Sequence, residues 1–169
     1  VFYDHPECPY ATKVRIVLVE KDLSFETETI DLSAGEHHGK EFLRLNPFGR
    51  VPVLVDEGVV IYESAIINEY LNDAYPEPAL LPTDPVSSAR ARALENYGDE
   101  GVLMKYLPLI WMPWWSPEEK RDKEGMERGR QGLQSEALPF LETQLTKNGY
   151  LNGDFSLADI PFMALAMVL

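Results

Sequence analysis

Val51-Pro52-Val53-Leu54-Val55, Asp56-Glu57-Gly58 and Val59-Val60-Ile61-Tyr62 are two β-rich runs joined by a short turn containing glycine, the pattern of a β-hairpin. Directly behind it, Ser64 to Ala74 places Ile66, Ile67, Tyr70, Leu71 and Ala74 at helical spacing, which predicts a helix buried along that face. Toward the N-terminus, Val1 to Tyr3 reads as the end of a strand. Cys8-Pro9 then opens a helix, with Pro suited to a first turn and Val14, Val17 and Leu18 recurring along one side. Leu23 to Asp31 alternates and predicts a further strand. Strand, helix and strand within about thirty residues make a βαβ unit, whose two strands must run parallel. Residues 36–45 predict a short helix between that unit and the hairpin.

The resulting order, β-α-β-α-β-β-α, is that of an α/β thioredoxin-like domain. Pro76, Pro78, Pro82 and Pro85 then crowd a stretch too dense in proline for regular structure. The expected organisation is a thioredoxin-like domain over 1–76, a linker over 77–84 and an all-α domain over 85–169. Asp84-Pro85 caps the first helix of that second part. Ser116-Pro117-Glu118-Glu119 reads as a capping box opening another long helix, and Pro139 should kink it. Ser156-Leu157-Ala158-Asp159 has the same capping logic with Asp in the third position. The chain begins without Met and stops inside the apolar run Phe162 to Leu169, so further residues are expected beyond its C-terminal end.

Composition narrows the function. The net charge of −13 is concentrated in residues 1–84, where 16 acidic and 6 basic side chains leave −10, against −3 for the remainder. Such a surface repels phosphate backbones, which argues against nucleic acid as a partner. A lone cysteine forms no internal disulfide and suits a reducing compartment. The longest apolar stretch, Ile160 to Leu169, is about half of the ~20 residues that cross a bilayer, so no membrane is expected and a cytoplasmic address is. His5, His37 and His38 form no convincing ligand set, and no metal is expected.

Cys8 is the chemically interesting residue. A thiol at a helix start faces free backbone N–H groups and the positive end of the helix dipole, both of which favour the thiolate; otherwise it is a small buried hydrophobe. Its position after a strand and before Pro9 supports the reactive role. Val51-Pro52 opens a strand, where Pro is either an edge residue or one half of a cis peptide that turns the Val51 backbone toward an extended peptide ligand. Glu63-Ser64 opens a helix after a strand. There an exposed hydroxyl and free N–H groups suit a carboxylate and Glu63 an ammonium, or the pair simply caps the helix. Trp111, Trp114 and Trp115, near Tyr106, make either an apolar pocket wall or a helix contact around Pro113. Tyr3 and Tyr10 are rival activating groups.

Cys8-Pro9-Tyr10-Ala11 resembles a glutaredoxin motif whose second cysteine is replaced by Ala11. More broadly, Asn46-Pro47-Phe48-Gly49-Arg50-Val51-Pro52-Val53-Leu54, Tyr62-Glu63-Ser64-Ala65-Ile66, Glu69-Tyr70-Leu71 and Tyr75-Pro76 resemble the glutathione-binding domain of glutathione transferases. The similarity is to cysteine-type, omega-like members and is distinctive over residues 8–84. It implies a glutathione transferase-like fold with glutathione as co-substrate and Cys8 as catalytic residue. It implies, too, that Val51 and Pro52 contact the cysteinyl part of glutathione, Glu63 and Ser64 the γ-glutamyl end, and His38 or Arg50 the glycyl carboxylate. Tyr10, Tyr106 and the three tryptophans would line the pocket for a small hydrophobic or glutathionylated substrate, and the assembly would be a homodimer. The activity implied is thiol transfer or reductive deglutathionylation, with conjugation to hydrophobic electrophiles also within reach. The rival is a non-catalytic regulatory or binding protein on the same fold, resembling the stringent starvation protein that associates with RNA polymerase.

Overall fold

The structure, a computed structural model, describes residues 1–110, 113 and 116–167. It consists of two compact units, Val1–Ala79 and Leu80–Leu169.

The first unit holds a mixed sheet of β1 (Phe2–Asp4), β2 (Thr27–Thr29), β3 (Val53–Asp56) and β4 (Val59–Tyr62) in the order β2-β1-β3-β4. Helix α1 (Pro9–Glu20) is the crossover that makes β1 and β2 parallel. The β3–β4 connection is a tight antiparallel hairpin, with Glu57 at φ 48° and Gly58 at φ 83°. Two successive left-handed residues match the twist of the strands they join, which is why the turn needs its glycine. Val53 and Leu54 point to opposite faces yet are 0% and 4% exposed, so the sheet is covered on both sides. On one side Phe42 and Leu45 of α2 (Lys40–Leu45) pack with Ile30, Val51, Val53, Tyr3 and Tyr62. On the other, α1 and α3 (Ser64–Ala74) pack together, burying Ala11, Val14, Val17, Ile67 and Leu71.

Three local expectations change here. The second strand shrinks from Leu23–Asp31 to Thr27–Thr29, an exposed edge that pairs only with β1. The 36–45 helix is two pieces, a single 3₁₀ turn over Glu36–His38 and then α2, because Gly39 between them is extended. The buried stripe of α3 is Ser64, Ile67, Asn68 and Leu71, while Ile66 is 59% exposed. That spacing is still i, i+3, i+4, i+7, rotated so that an amide replaces an isoleucine inside.

Past α3 there is no regular element until Pro85. Tyr75 to Pro78 is anchored by the buried Lys21, whose Nζ donates to the Tyr75 and Pro78 carbonyls at 2.7 Å each. Leu80 and Leu81 are buried, and the Leu157 N–H donates to the Leu80 carbonyl.

The second unit is helical. Asp84 caps α4 (Pro85–Asn96) by accepting the Ser87 N–H at 2.9 Å. A π-helical stretch, Tyr97–Leu103, then leads into α5 (Met104–Ile110). Helix α6 (Lys123–Gly132), another π-helical stretch (Leu133–Ala137), α7 (Leu138–Gln144) and α8 (Ile160–Ala166) follow. Pro139 sits in the first turn of α7, directly after the π-helical interruption. The capping box at Ser116 does not start a long helix: only a 3₁₀ turn, Glu118–Lys120, follows it. The cap is Asp122, whose carboxylate accepts the Gly125 N–H at 2.8 Å. A Cβ on Gly125 would collide with that carboxylate, so the absence of a side chain there lets Asp122 close in. Asp159 behaves as its position suggests, accepting the Leu151 and Ser156 N–H groups at 2.9 and 3.0 Å. No helix among the described residues is long and apolar enough to cross a membrane.

Candidate active site

The pairing of the strands brings three separate segments to one end of the sheet. Tyr3 stands opposite Val53, so the chain leaving β1 toward Cys8 runs beside the start of β3, where Val51-Pro52 lies. Val53 stands opposite Tyr62, so Glu63, next after Tyr62, falls beside Pro52. The Val51–Pro52 peptide is cis. Cys8 is the N-cap residue of α1, with extended backbone (φ −82°, ψ 117°). Its half-buried side chain rests on the Ile30, Phe42, Val51 and Val53 cluster, and its Sγ donates to the Val51 carbonyl over 3.9 Å. Cys8 and Val51, predicted to work together, are therefore in direct contact.

The electrostatics of the thiol differ from the helix-start expectation. Burial pushes its pKa up, and this outweighs the backbone N–H groups of Ala11 and Tyr10, which favour the thiolate. Asp4 adds to the rise and Arg15 opposes it. The cause of the rise is the apolar cluster beneath the thiol, which excludes the water that would solvate a thiolate.

Glu63 is exposed and serves as N-cap of α3 with φ 71°, a left-handed conformation that costs a non-glycine residue about 1–3 kcal/mol. Ser64 is buried, contrary to the open hydroxyl expected. The N–H groups opening an eleven-residue helix remain directed at this corner.

His38 and Arg50 are joined through Gly49. Asn46 closes their loop: its Nδ2 donates to the Arg50 carbonyl at 2.7 Å and its Oδ1 accepts the Phe48 N–H at 3.0 Å. Gly49, at φ 61°, lies so close to the histidines that a Cβ would sit 2.9 Å from His38 Nδ1 and 3.0 Å from the His37 carbonyl. Both His38 and Arg50 are exposed, whereas burial and the neighbouring His38 push the His37 pKa down.

Tyr10 is half-buried in the first turn of α1. Tyr106 is not an open pocket wall: it is 3% exposed, its hydroxyl donates to Glu136 at 2.9 Å, and its ring packs on Gly132. Trp111, Trp114 and Trp115 lie outside the described residues. Among the described residues no group of three or more His, Cys, Asp and Glu could hold a metal ion. Sequence reasoning passed over Asp4 and Thr12 and gave no separate role to Asn46 or Gly49. For Asn46 a signal existed, since Asn two residues before a turn residue is the usual source of an Asx-type closure.

A short mixed sheet with a cis-Pro at the start of its third strand, a cysteine at a helix start and a following helical unit define a protein with a thioredoxin-like first domain. Residues 1–73 match the family model "Glutathione S-transferase, N-terminal domain". Glutathione S-transferase 3 of Zea mays is 35% identical over 162 residues, covering 93% of this chain and 72% of the relative. A stringent starvation protein A homolog of Coxiella burnetii is 33% identical over 157 residues, covering 93% and 69%. A glutathione transferase homolog from Sulfitobacter, solved with bound glutathione, superposes with a TM-score of 0.80 at 23% identity, over 98% of this chain and 80% of that one; this likeness speaks to the fold. The chain belongs to the glutathione S-transferase family. It spans 65% to 69% of the length of two of the stringent starvation protein A homologs it matches.

Proposed function

We propose that this chain carries a glutathione-dependent thiol transferase site of the cysteine type. The observation that carries the proposal is the contact of the Cys8 thiol with the Val51 carbonyl at the sheet end that also presents Glu63 and the start of α3. An extended peptide paired with the Val51 backbone would hold its own sulfur next to Cys8. Its γ-glutamyl head would meet Glu63, Ser64 and the free N–H groups of α3, and its glycyl carboxylate the His38–Arg50 loop. The Cys8 thiolate attacks a glutathionylated disulfide, forming a Cys8–glutathione disulfide and releasing the other sulfur as a thiol once it is protonated. The thiolate of a second glutathione then attacks the glutathione sulfur bonded to Cys8, yielding oxidised glutathione and restoring Cys8. With no second cysteine in the chain, the monothiol route is the one open. In this reading residues 1–76 serve as the glutathione-binding part. The helical part from 85 onward serves a small hydrophobic or glutathionylated substrate, in a cytoplasmic homodimer. Conjugation of glutathione to electrophiles would use the same seat.

The raised thiol pKa supports a pH-dependent activity that climbs with pH as the thiolate fraction grows and is still climbing above the ordinary thiol range. A second reading, a non-catalytic regulator on this fold, is favoured by the similarity to stringent starvation protein A homologs. A glutathione titration and a thiol transferase assay on the wild type and Cys8→Ala separate the two. The transferase reading requires binding and turnover in the wild type, with turnover lost in Cys8→Ala. A chain that neither binds glutathione nor turns over belongs to the second reading.

A further inference from the structure

Arg15 reaches back from α1 to the end of β1. Its Nε donates to Asp4 Oδ2 at 3.1 Å, and its Nη2 to Asp4 Oδ1 at 2.9 Å and Oδ2 at 2.9 Å. Its Nη1 donates to Thr12 Oγ1 at 3.3 Å, and Thr12 Oγ1 donates to the Cys8 carbonyl at 3.0 Å. Because Thr12 accepts from Arg15, its single hydroxyl proton is left for the Cys8 carbonyl, and the direction of the relay is set. Asp4 and Thr12 are 4% and 3% exposed, so the carboxylate side of the planar two-point pairing is shielded from bulk water, while the Arg15 side chain is 29% exposed. The loop His5-Pro6-Glu7, which carries Cys8, is thereby held at both ends: at the strand through Asp4 and at the helix through Thr12.

We propose that Arg15 and Asp4 are positioning residues for Cys8: their ion pair ties the strand end to the helix start and, through Thr12, fixes the backbone that carries the thiol. This rests on the assignment of Cys8 as the reacting group. The Asp4 charge favours the protonated sulfur and the Arg15 charge the thiolate. The other titratable side chains on the elements around the thiol are the phenols of Tyr3 on β1 and Tyr62 on β4, which pack on the same cluster, and Tyr10, half-buried in the first turn of α1. In the loop are His5, whose Nδ1 is 3.1 Å from the Ile30 carbonyl, and the exposed Glu7. The cluster residues from β3 and α2 (Val51, Val53, Phe42 and Leu45) are uncharged.

The test is the rate of Cys8 alkylation by iodoacetamide as a function of pH, followed by mass spectrometry of the intact chain, for wild type, Asp4→Asn, Arg15→Gln and the double variant. Removing the carboxylate should move the profile to lower pH, and removing the guanidinium should move it to higher pH. The double variant should return toward wild type. Circular dichroism and melting curves establish that each variant is folded. Asp4→Asn keeps the size of the side chain and one of its two acceptor oxygens while removing the charge, so it decides the matter alone if Arg15→Gln does not fold. Single variants that shift the profile in the same direction, or that lower the melting temperature while leaving the profile in place, overturn the proposal. Alkylation needs no glutathione, so a wild type that fails to bind glutathione defeats the functional reading and leaves these profiles to judge the ion pair separately.

Discussion

Gly49 lies against His38 so closely that a methyl group on its Cα would come within 2.9 Å of the imidazole Nδ1. Its φ of 61° is also one that alanine adopts only under strain. Gly49→Ala is therefore expected to cost about 1–2 kcal/mol of stability, measured by denaturant unfolding. It should also push the His38 ring aside, weakening glutathione binding in a calorimetric titration.

Lys21 donates to two carbonyls of the segment after α3. Lys21→Met leaves both acceptors without that donor, for a loss of about 2–3 kcal/mol. Limited proteolysis should show faster cleavage between Tyr75 and Asp84 than in the wild type. Equal cleavage rates would mean that the segment is held by something else.

The hydroxyls of Tyr70 and Tyr75 both donate to Asp56 Oδ2, at 2.9 and 2.8 Å. Chiefly through this bond, Tyr70 is pushed up to about 12 and Tyr75 is raised as well. The folded state thus keeps protons that the unfolded chain has already lost. The stability they contribute is complete below about pH 10 and falls as pH rises from there toward 12. Ultraviolet titration at alkaline pH should show late-ionising phenols in the wild type, and Asp56→Asn should bring them back toward the ordinary range.

Asp122, and not Ser116, starts α6. Asp122→Ala should cost about 1 kcal/mol by removing the bond to the Gly125 N–H. Ser116→Ala should change stability by less than about 0.5 kcal/mol, as a surface substitution without a cap to lose. Comparable losses for the two would restore the capping-box interpretation.

Elements were legible where the signal was local. The hairpin followed from β-branched runs around Gly58, and α4 from Asp84-Pro85, because propensity and capping act within a few residues. Ser116 misled because Pro117 keeps an extended backbone after it, while Asp122 gained its advantage from a glycine three residues on. The site was legible as a set of positions but not as an environment. Cys8 was correctly placed at a helix start, yet what governs its proton is the apolar contact with Ile30, Phe42 and Val53, assembled from distant parts of the chain. The same holds for the burial of Ser64. Arg15 and Asp4 are too far apart for any helical-spacing rule to pair them, and only the crossover from β1 to α1 brings them together.

The β3–β4 register has a consequence for how this domain can vary. Asp56 faces Val59 at one end of the hairpin and Val53 faces Tyr62 at the other. Residues inserted at Glu57-Gly58 lengthen a solvent-facing turn and leave every pair intact. One residue inserted between Val59 and Tyr62 turns the remaining side chains of the strand to the opposite face and carries Glu63 and Ser64 away from Pro52. The sheet has one margin on which length can be written freely, and an opposite one where a single added residue takes the candidate site apart.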